Sequence, residues 1–504
     1  MKKVLLAFAF TILTLASVLA QSKTITGRVT SGEEPEGVPG ASVVVKGTTQ
    51  GVITDLDGSY SIAVPADAST LVFSFVGYLT KEMPIGSNSI INVSLDVDVK
   101  TLNEVVVVGY GTQERREITG SVTSIDSKSI ENLVSPSFES QLAGRAPGVS
   151  ITTPSGILGA APIIRIRGVN SLTAGAGPLI VIDGVPVVSS DRSAVNDSNP
   201  LANINPADIA SFDVLKDGSA SAIYGSRAAN GVILITTKRG SLGKAKVSYN
   251  TSMGINEAVD TFDLLTGDEF VTIANEKRTN ANQSPLANPG VNTDWQDLVF
   301  RKGFVQQHNL SISGGSEATK YFFSLGFTDQ ESSVKPNELS RYSFRANVDH
   351  SISKSVRLGT SMSYSYTEIF GLNNGSNSLS GAIYNATRAL PNVPIYDAAN
   401  TAFDGYNITS NGATTGFGTN LAGPDNNIPN IGFVIDNNIY RSRTHRIIGN
   451  AYGEVDIITG LTARSQIGVD LTLADDFQSL DARHGDGRSS NGSVYMATNP
   501  AFLW

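Results

Sequence analysis

From Lys246 onward the sequence alternates apolar and polar residues in a series of long runs. In the clearest of these runs Tyr342, Phe344 and Val348 alternate with polar residues such as Arg345. Period-two alternation predicts β-strands with one apolar and one polar face. The runs are about 9–12 residues long, which exceeds the ~5–6 residues of a typical soluble strand and suits a strand that crosses a bilayer. This half must therefore fold as an antiparallel sheet, in a membrane barrel or a soluble sandwich.

The connections between the runs distinguish these two folds. Long and short connections alternate along the chain, at 256–303, 315–318, 330–340, 350–355, 368–443, 458–460 and 474–490. Outer-membrane barrels have short turns on the periplasmic side and long loops outside, whereas a soluble sandwich has no reason to alternate in this way. We therefore predict about eight strands of an antiparallel transmembrane β-barrel over 245–504.

The first 20 residues are typical of a secretory signal peptide. Lys2 and Lys3 precede an apolar stretch, and Val18-Leu19-Ala20 forms a small-residue cleavage site. The chain has no Cys, which excludes disulfides, thiolate metal sites and cysteine nucleophiles. Its formal net charge of −9 does not suggest nucleic-acid binding. Since no catalytic constellation is present either, we expect no enzyme activity, no catalytic residues, no metal site and no cofactor.

Residues 22–98 alternate at period two in shorter runs, separated by turn signals such as Pro39-Gly40 and Asp57-Gly58. Short strands at this spacing predict a small β-sandwich. The predicted strands are 24–29, 41–46, 59–64, 71–76 and 91–95.

A junction over 99–117 follows the predicted sandwich. It contains Glu104, four consecutive valines (Val105, Val106, Val107 and Val108) and a charged run at 114–117. A valine run without alternation predicts a strand that pairs through its backbone rather than through one buried face. A last strand of the preceding sandwich explains the run equally well.

Residues 118–240 have the pattern of an α/β domain. Ser135-Pro136 predicts the start of a short helix that ends near Leu142. The run 178–188 predicts a strand pair around Asp183-Gly184, a strong hairpin signal. A helix around 220–224 and a strand over 232–237 complete the pattern.

Several residues of this α/β domain have predicted structural roles. Arg165 and Arg167 fall on one side of a predicted strand, and we expect them to pair with acids on the inner face of the barrel such as Asp349 or Asp470. Gly225 and Gly231 are interpreted as turn positions.

Residues 144–240 resemble the plug domain of the SusC/RagA family of TonB-linked outer-membrane transporters. The runs that carry the resemblance are 144–149, 164–172, 178–186 and 215–240. The predicted sandwich resembles the carboxypeptidase-regulatory-like domain that precedes many plugs of this family, and the valine run is similar to the TonB box. A barrel that encloses such a plug has ~22 strands. The sequence 245–504 therefore corresponds to the first part of a barrel, and we expect a truncated end, which puts independent insertion and transport by this polypeptide in doubt.

The resemblance implies a TonB-dependent importer of oligosaccharides or peptides in the cell outer membrane, with the plug on the periplasmic side. TonB would pair with the box at 104–108, and a SusD-like surface lipoprotein would be the partner. The residues that would have structural roles in the plug are Arg165, Arg167, Gly168, Asp183, Gly184, Gly225 and Gly231. The alternatives are a siderophore- or cobalamin-type receptor and a soluble secreted β-rich binding or adhesion protein. Aromatic residues of the longest connection suit sugar stacking, namely Tyr384, Tyr396, Phe403 and Tyr406.

Overall fold

The protein was analysed as a computed structural model. The structure describes residues 22–31, 37–48, 50–65, 68–75, 78–96, 105–108, 111–114, 122–126, 137–153, 156–169, 175–193, 195–196, 199–218, 222–288, 290–371, 381–416 and 428–503. The predicted signal peptide and Glu104 lie outside these residues. The chain forms two compact units: one holds the N-terminal strands, and the other holds the α/β region and the large sheet that follows it.

The N-terminal unit is a β-sandwich. Its described strands are β1 (Ser22–Ser31), β2 (Ser42–Val45), β3 (Gly51–Ile53), β4 (Ser59–Pro65), β5 (Thr70–Ser74), β6 (Lys81–Pro84) and β7 (Val93–Leu95). They form two sheets, in the orders β4-β1-β7 and β3-β2-β5-β6. Alternate residues such as Ile25, Ile62 and Phe73 are buried in its core. The predicted sandwich is confirmed, although β3 and β6 are too short and too poor in apolar residues to be recognised from sequence.

The valine run forms strand β8 (Val105–Val108), which pairs with β9 (Gly111–Glu114) in a two-stranded sheet. Strand β8 belongs to neither sheet of the sandwich. Whether it also binds another protein remains a prediction.

The α/β region lies between 122 and 240. Its strands are β10 (Val122–Asp126), β11 (Val149–Thr152), β12 (Ile163–Ile166), β13 (Leu179–Ile182), β14 (Val185–Pro186), β15 (Ile209–Leu215) and β16 (Val232–Thr237). Five of them form a sheet in the order β10-β15-β16-β13-β14, and β11 pairs with β12. Helix α1 (Phe138–Leu142) packs on this sheet, where the Phe138 and Phe212 rings stack. The predicted helix near 220–224 is a kinked 3-10 segment, Ala222–Ala228.

The last part of the chain forms one antiparallel sheet in which each strand pairs with its neighbour in sequence. The strands are β17 (Gly243–Asn256), β18 (Gly303–Gly315), β19 (Thr319–Glu331), β20 (Glu338–Ser351), β21 (Val356–Phe370), β22 (Ile439–Ile458), β23 (Leu461–Leu480) and β24 (Ser493–Leu503). The eight predicted strands are therefore confirmed, including the one that was only a fragment near Val494 in the sequence. Connections 316–318, 352–355 and 459–460 lie at one end of the sheet. The other end carries the longer connections 257–302, 332–337, 371–438 and 481–492, as the alternation predicts.

The described parts of connections 257–302 and 371–438 include regular helices. They contain helices α2 (Gly267–Asn280), α3 (Trp295–Val299), α4 (Ala382–Arg388) and α5 (Ile431–Asn437). A capping box between Thr266 and Glu269 begins α2, and Trp295, Ile431 and Val434 are buried in a shared apolar core. Among the described residues, no helix is both long and apolar enough to cross a membrane.

Candidate functional site

The two faces of the eight-stranded sheet have opposite character. On strand β20 the side chains of Arg341, Arg345 and Asn347 are buried, whereas the apolar Tyr342 between them is 53% exposed. Other strands repeat the pattern, with exposed Leu325, Leu358, Met362, Ile447 and Leu473. A water-soluble sheet would bury its apolar face instead, whereas a lipid-facing sheet has its polar residues on the inside. The polar inner face contacts the α/β region, and these contacts form the candidate site.

The β13–β14 hairpin brings its turn to this inner face. Asp183 and Gly184 have φ angles of 47° and 84°, so both turn residues are left-handed, as a two-residue hairpin turn of type I′ requires. The predicted hairpin is therefore confirmed. The backbone carbonyl of Asp183 accepts hydrogen bonds from the side-chain amides of Asn450 and Gln466, both at 3.0 Å.

The Asp183 carboxylate is the centre of a buried polar network. Its Oδ2 accepts hydrogen bonds from the hydroxyls of Thr237 (2.6 Å) and Ser361 (3.1 Å) and from Nη1 of Arg345 (3.4 Å). Nε of Arg345 lies 3.7 Å from Oδ2 of Asp208, a second buried acid of the α/β region. One arginine of the sheet thus neutralises two carboxylates that burial would otherwise destabilise.

A second contact uses an ion pair within the sheet itself. Arg446 and Asp470 on β22 and β23 form a bidentate pair, in which Nε and Nη2 of Arg446 donate to the two carboxylate oxygens at 2.9 and 2.7 Å. Their side chains are 1% and 0% exposed. Arg446 also donates to the backbone carbonyls of Pro200 (2.5 Å) and Val188 (2.9 Å). Asp470 accepts from the Val188 amide at 2.8 Å. The pair therefore holds the main chain of the α/β region at two places.

A third contact involves the fully buried Arg341. Its Nη1 donates to the backbone carbonyl of Ala202 at 2.5 Å, and its Nη2 donates to the hydroxyl of Thr328 at 3.2 Å. All three arginines lie on the polar face of a strand. In this setting they bind the α/β region rather than solvent.

Arg165 and Arg167 do not take part in these contacts as predicted. Strand β12 ends at Ile166, and Arg167 follows it in a left-handed conformation with φ of 57°. There Arg167 forms an ion pair with Asp217 of the α/β region, and Arg165 donates to the carbonyl of Ile164 at 3.1 Å.

The barrel acids proposed as their partners are bound by other arginines. Asp349 pairs with Arg239 at 2.8 Å and accepts from the Tyr452 hydroxyl at 2.7 Å. Asp470 pairs with Arg446, as described above. The predicted pairing of Arg165 and Arg167 with Asp349 or Asp470 is therefore wrong, because the turn after Ile166 ends the strand on which the prediction depended.

The predicted glycine positions all lie where the backbone turns. Gly168, Gly225 and Gly231 have φ angles of 98°, 64° and 87°. Gly231 also has no room for a side chain, because a Cβ there would lie 2.8 Å from Cδ1 of Ile166 and 3.0 Å from the carbonyl oxygen of Leu215. Another residue at this position would have to adopt a left-handed backbone and displace the end of the Ile166 side chain.

Sequence analysis missed the residues of the sheet that carry the contacts, above all Arg345, Arg446 and Asn450. The available signal was their place on the polar side of long alternating strands, where a charged residue must face either water or a buried partner. In the described part of the chain, no cluster of His, Asp and Glu has the arrangement of a metal site.

Two family descriptions match the chain. The TonB-dependent receptor plug domain matches residues 114–232, and the CarboxypepD_reg-like domain matches residues 25–107. Both matches agree with the resemblances drawn from sequence.

Individual relatives agree with these matches. A TonB-dependent receptor of Formosa agariphila is 38% identical over 410 residues, which cover 80% of this chain and 39% of the relative. The TonB-dependent receptor SusC of Bacteroides thetaiotaomicron is 41% identical over 351 residues, which cover 69% of this chain and 34% of SusC. The chain thus spans well under half the length of these curated relatives.

Among solved structures, the RagAB peptide importer in its open-open state is similar to this chain. The TM-score is 0.60 at 26% identity, and the match covers 75% of this chain and 43% of the RagAB chain. The fold predicted from sequence, with a sandwich, an α/β domain and the first strands of a barrel, is confirmed by this likeness.

Proposed function

Since this chain belongs to the SusC-like TonB-dependent receptors, as its plug domain and its homology to SusC show, we propose that it imports oligosaccharides or peptides. The protein is located in the outer membrane, with its plug domain on the periplasmic side. The family consists of transport receptors rather than enzymes. The observation that carries the proposal is the polar inner face of the sheet, which binds the plug through buried arginines instead of facing water.

Import in this scheme is energised at residues 104–108. TonB pairs with the valine strand β8 by β-augmentation, in which backbone hydrogen bonds supply the affinity. Tension on this strand then displaces or remodels the plug and opens a path for the substrate. Four valines suit this role, because the pairing needs an extended backbone and no catalytic side chain.

The test replaces Val106 with Pro, which removes one backbone N–H from the strand. We expect V106P to abolish energised uptake and to leave substrate binding unchanged. V106I keeps the N–H and should transport normally, which controls for a change of side chain. Energised uptake by V106P at the wild-type rate would reject the role of this segment.

The proposed substrate class depends on which aromatic side chains are exposed in the connections at the long-loop end of the sheet. Of the four aromatic residues noted in the sequence, Phe403 and Tyr406 are buried, whereas Tyr384 and Tyr396 are 48% and 57% exposed. Only these two are therefore available to stack on a sugar or on an aromatic side chain of a peptide.

A SusD-like surface lipoprotein is the proposed partner at this end. The RagAB neighbour is described as a peptide importer, which supports the peptide class. The oligosaccharide class rests on the resemblance to the SusC/RagA family. Binding of oligosaccharide and oligopeptide mixtures to wild type, Y396A and the buried-site control F403L would separate the two classes. We expect Y396A to weaken binding of one class selectively, and failure of both mixtures to bind would contradict the proposal.

A further inference from the structure

His484 joins two connections at the long-loop end of the sheet. It lies in connection 481–492, and its side chain is completely buried against the connection 371–438. Its Nε2 accepts a hydrogen bond from the backbone N–H of Asn430 at 2.7 Å, and its Nδ1 lies 2.8 Å from the carbonyl oxygen of Gly412. Both ring nitrogens thus bind main-chain atoms of the other connection.

These partners fix the protonation state of the ring. A backbone N–H can only donate, so Nε2 of His484 must present its lone pair to Asn430. A carbonyl oxygen can only accept, so the proton is on Nδ1, which faces Gly412. The ring is therefore neutral, and a second proton on Nε2 would replace the Asn430 hydrogen bond by a contact between two donors.

The hydrogen bond between His484 and Asn430 supports both the start of helix α5 and the segment 395–416. Asn430 is the N-cap of α5, and its side-chain amide donates to the carbonyls of Ile395 and Asn407. The Phe433 ring of the same helix meets the His484 ring edge-on at 5.6 Å. Loss of the His484 bond would therefore loosen the start of α5 and the segment 395–416 together.

The charged and titratable groups around His484 have other partners in the structure. On its own connection Asp481 pairs with Arg483, and Arg488 donates to the carbonyl of Asn411 at 2.7 Å. On the connection packed against it, Asp404 pairs with Arg483 at 2.8 Å and Asp436 accepts from the hydroxyl of Tyr406. These acids are paired with Arg483 or Tyr406, and the structure shows none of them hydrogen-bonded to Nε2 of His484.

We propose that His484 is a positioning residue that holds segments 395–416 and 428–438 in place while its ring is neutral and releases them when the ring is protonated. The inference rests on the proposed function in one respect, that connection 371–438 faces the substrate. Tyr396 belongs to segment 395–416, so the ordering of this segment sets where its ring meets a ligand.

The expected pH dependence follows from burial. Burial lowers the pKa of His484 below its usual value of about 6.5, with the charge of Arg488 acting in the same direction. The neutral ring therefore stabilises the fold at and above neutral pH. This stabilisation is lost as the pH falls below about 6.5 toward the lowered pKa, because the unfolded segment binds the proton more readily.

Hydrogen exchange of the full chain in lipid vesicles tests the proposal. Protection of backbone amides is measured in peptides that cover 407–416 and 428–437, at pH 7.5 and pH 5, after correction for the intrinsic exchange rate. In wild type we expect protection of these peptides to be lower at pH 5 than at pH 7.5, because burial lowers the pKa of His484 and the ring takes up its proton only when the bond to Asn430 is lost. H484Q keeps an acceptor and a donor but cannot become charged, so its protection should equal that of wild type at pH 7.5 and should not change with pH. H484A should have lower protection than wild type at both pH 7.5 and pH 5.

H350Q is the matched control, because His350 lies at the opposite end of the sheet and is exposed. H350Q should show the same fall in amide protection between pH 7.5 and pH 5 as wild type. Protection that is independent of pH in wild type, or a full fall in H484Q, would overturn the inference. Since the measurement contains no transport step, its outcome is independent of whether the protein imports the proposed substrates.

Discussion

The guanidinium of Arg345 lies 3.4 Å from the carboxylate of Asp183, although 162 residues separate them in the chain. Both side chains are only 3% exposed. Arg345 belongs to the eight-stranded sheet and Asp183 to the turn of a plug hairpin, so this pair fixes where the plug sits against the inner face.

Replacement of Arg345 by Met tests how strongly this pair stabilises the fold. R345M would remove the guanidinium that contacts both buried acids, Asp183 and Asp208. Breaking a buried pair from one side costs about 3–5 kcal/mol. We expect the free energy of unfolding in guanidinium, measured in lipid vesicles, to fall by that amount.

R357M is the matched control for this change. Arg357 pairs with Glu454 and Asp456 of the same sheet, but its side chain is 36% exposed. Exposed pairs contribute ~0–1 kcal/mol, so R357M should be close to wild type. An equal fall in the free energy of unfolding of R345M and R357M would mean that the buried contact with the plug stabilises the fold no more than an exposed ion pair does.

The plug must change its contacts if tension on β8 is to open a path. Strand β10 is the first plug strand after the junction, and it pairs with β15 at the edge of the five-stranded sheet. Cysteines at Thr123 and Val214, which face each other across these strands, should block energised uptake when oxidised and restore it when reduced.

The sequence contains no Cys, so the introduced pair forms the disulfide within the chain without competition from native cysteines. Cysteines at Ala346 and Met362 join two adjacent strands of the eight-stranded sheet and should not affect uptake in either redox state. Undiminished uptake by the oxidised Thr123–Val214 pair would show that β10 and β15 stay together during transport.

Gly231 provides a test of packing within the plug. An Ala at this position must adopt a left-handed backbone and also contact Ile166 and Leu215 at 2.8–3.0 Å. We expect G231A to lower plug stability by roughly 1–3 kcal/mol, measured by thermal unfolding. Gly168 is also left-handed but has open space around it, so G168A should cost less. An equal loss of plug stability in G231A and G168A would mean that the left-handed backbone alone, and not the contacts with Ile166 and Leu215, causes the destabilisation.

Much of the fold could be predicted from sequence because local patterns determine it. The alternation around Tyr342 specifies both a strand and its two faces, and Asp183-Gly184 specifies a hairpin turn. The partners of buried charges could not be predicted in this way. Arg345 finds Asp183 and Asp208 only through the topology of the sheet, and Arg167 turns away from it because one residue adopts a left-handed conformation.

The connections were the least predictable part. Sequence analysis interpreted 474–490 as a plain connection, yet it contains His484, whose burial depends on a segment more than fifty residues away. Trp295 and Ile431 likewise form an apolar core between two long connections that have no common periodic pattern. Contacts of this kind depend on tertiary structure that a single sequence does not reveal.

Disulfide trapping between the valine strand and TonB measures the proposed coupling most directly. Single cysteines are placed at each position from 104 to 108, and cells express a TonB variant with one cysteine in its receptor-binding region. We predict cross-links at these positions that increase when substrate is added, with none from a cysteine placed at exposed Leu56 of the sandwich. No cross-link at any of the five positions in cells that still take up substrate would contradict energy coupling through this strand.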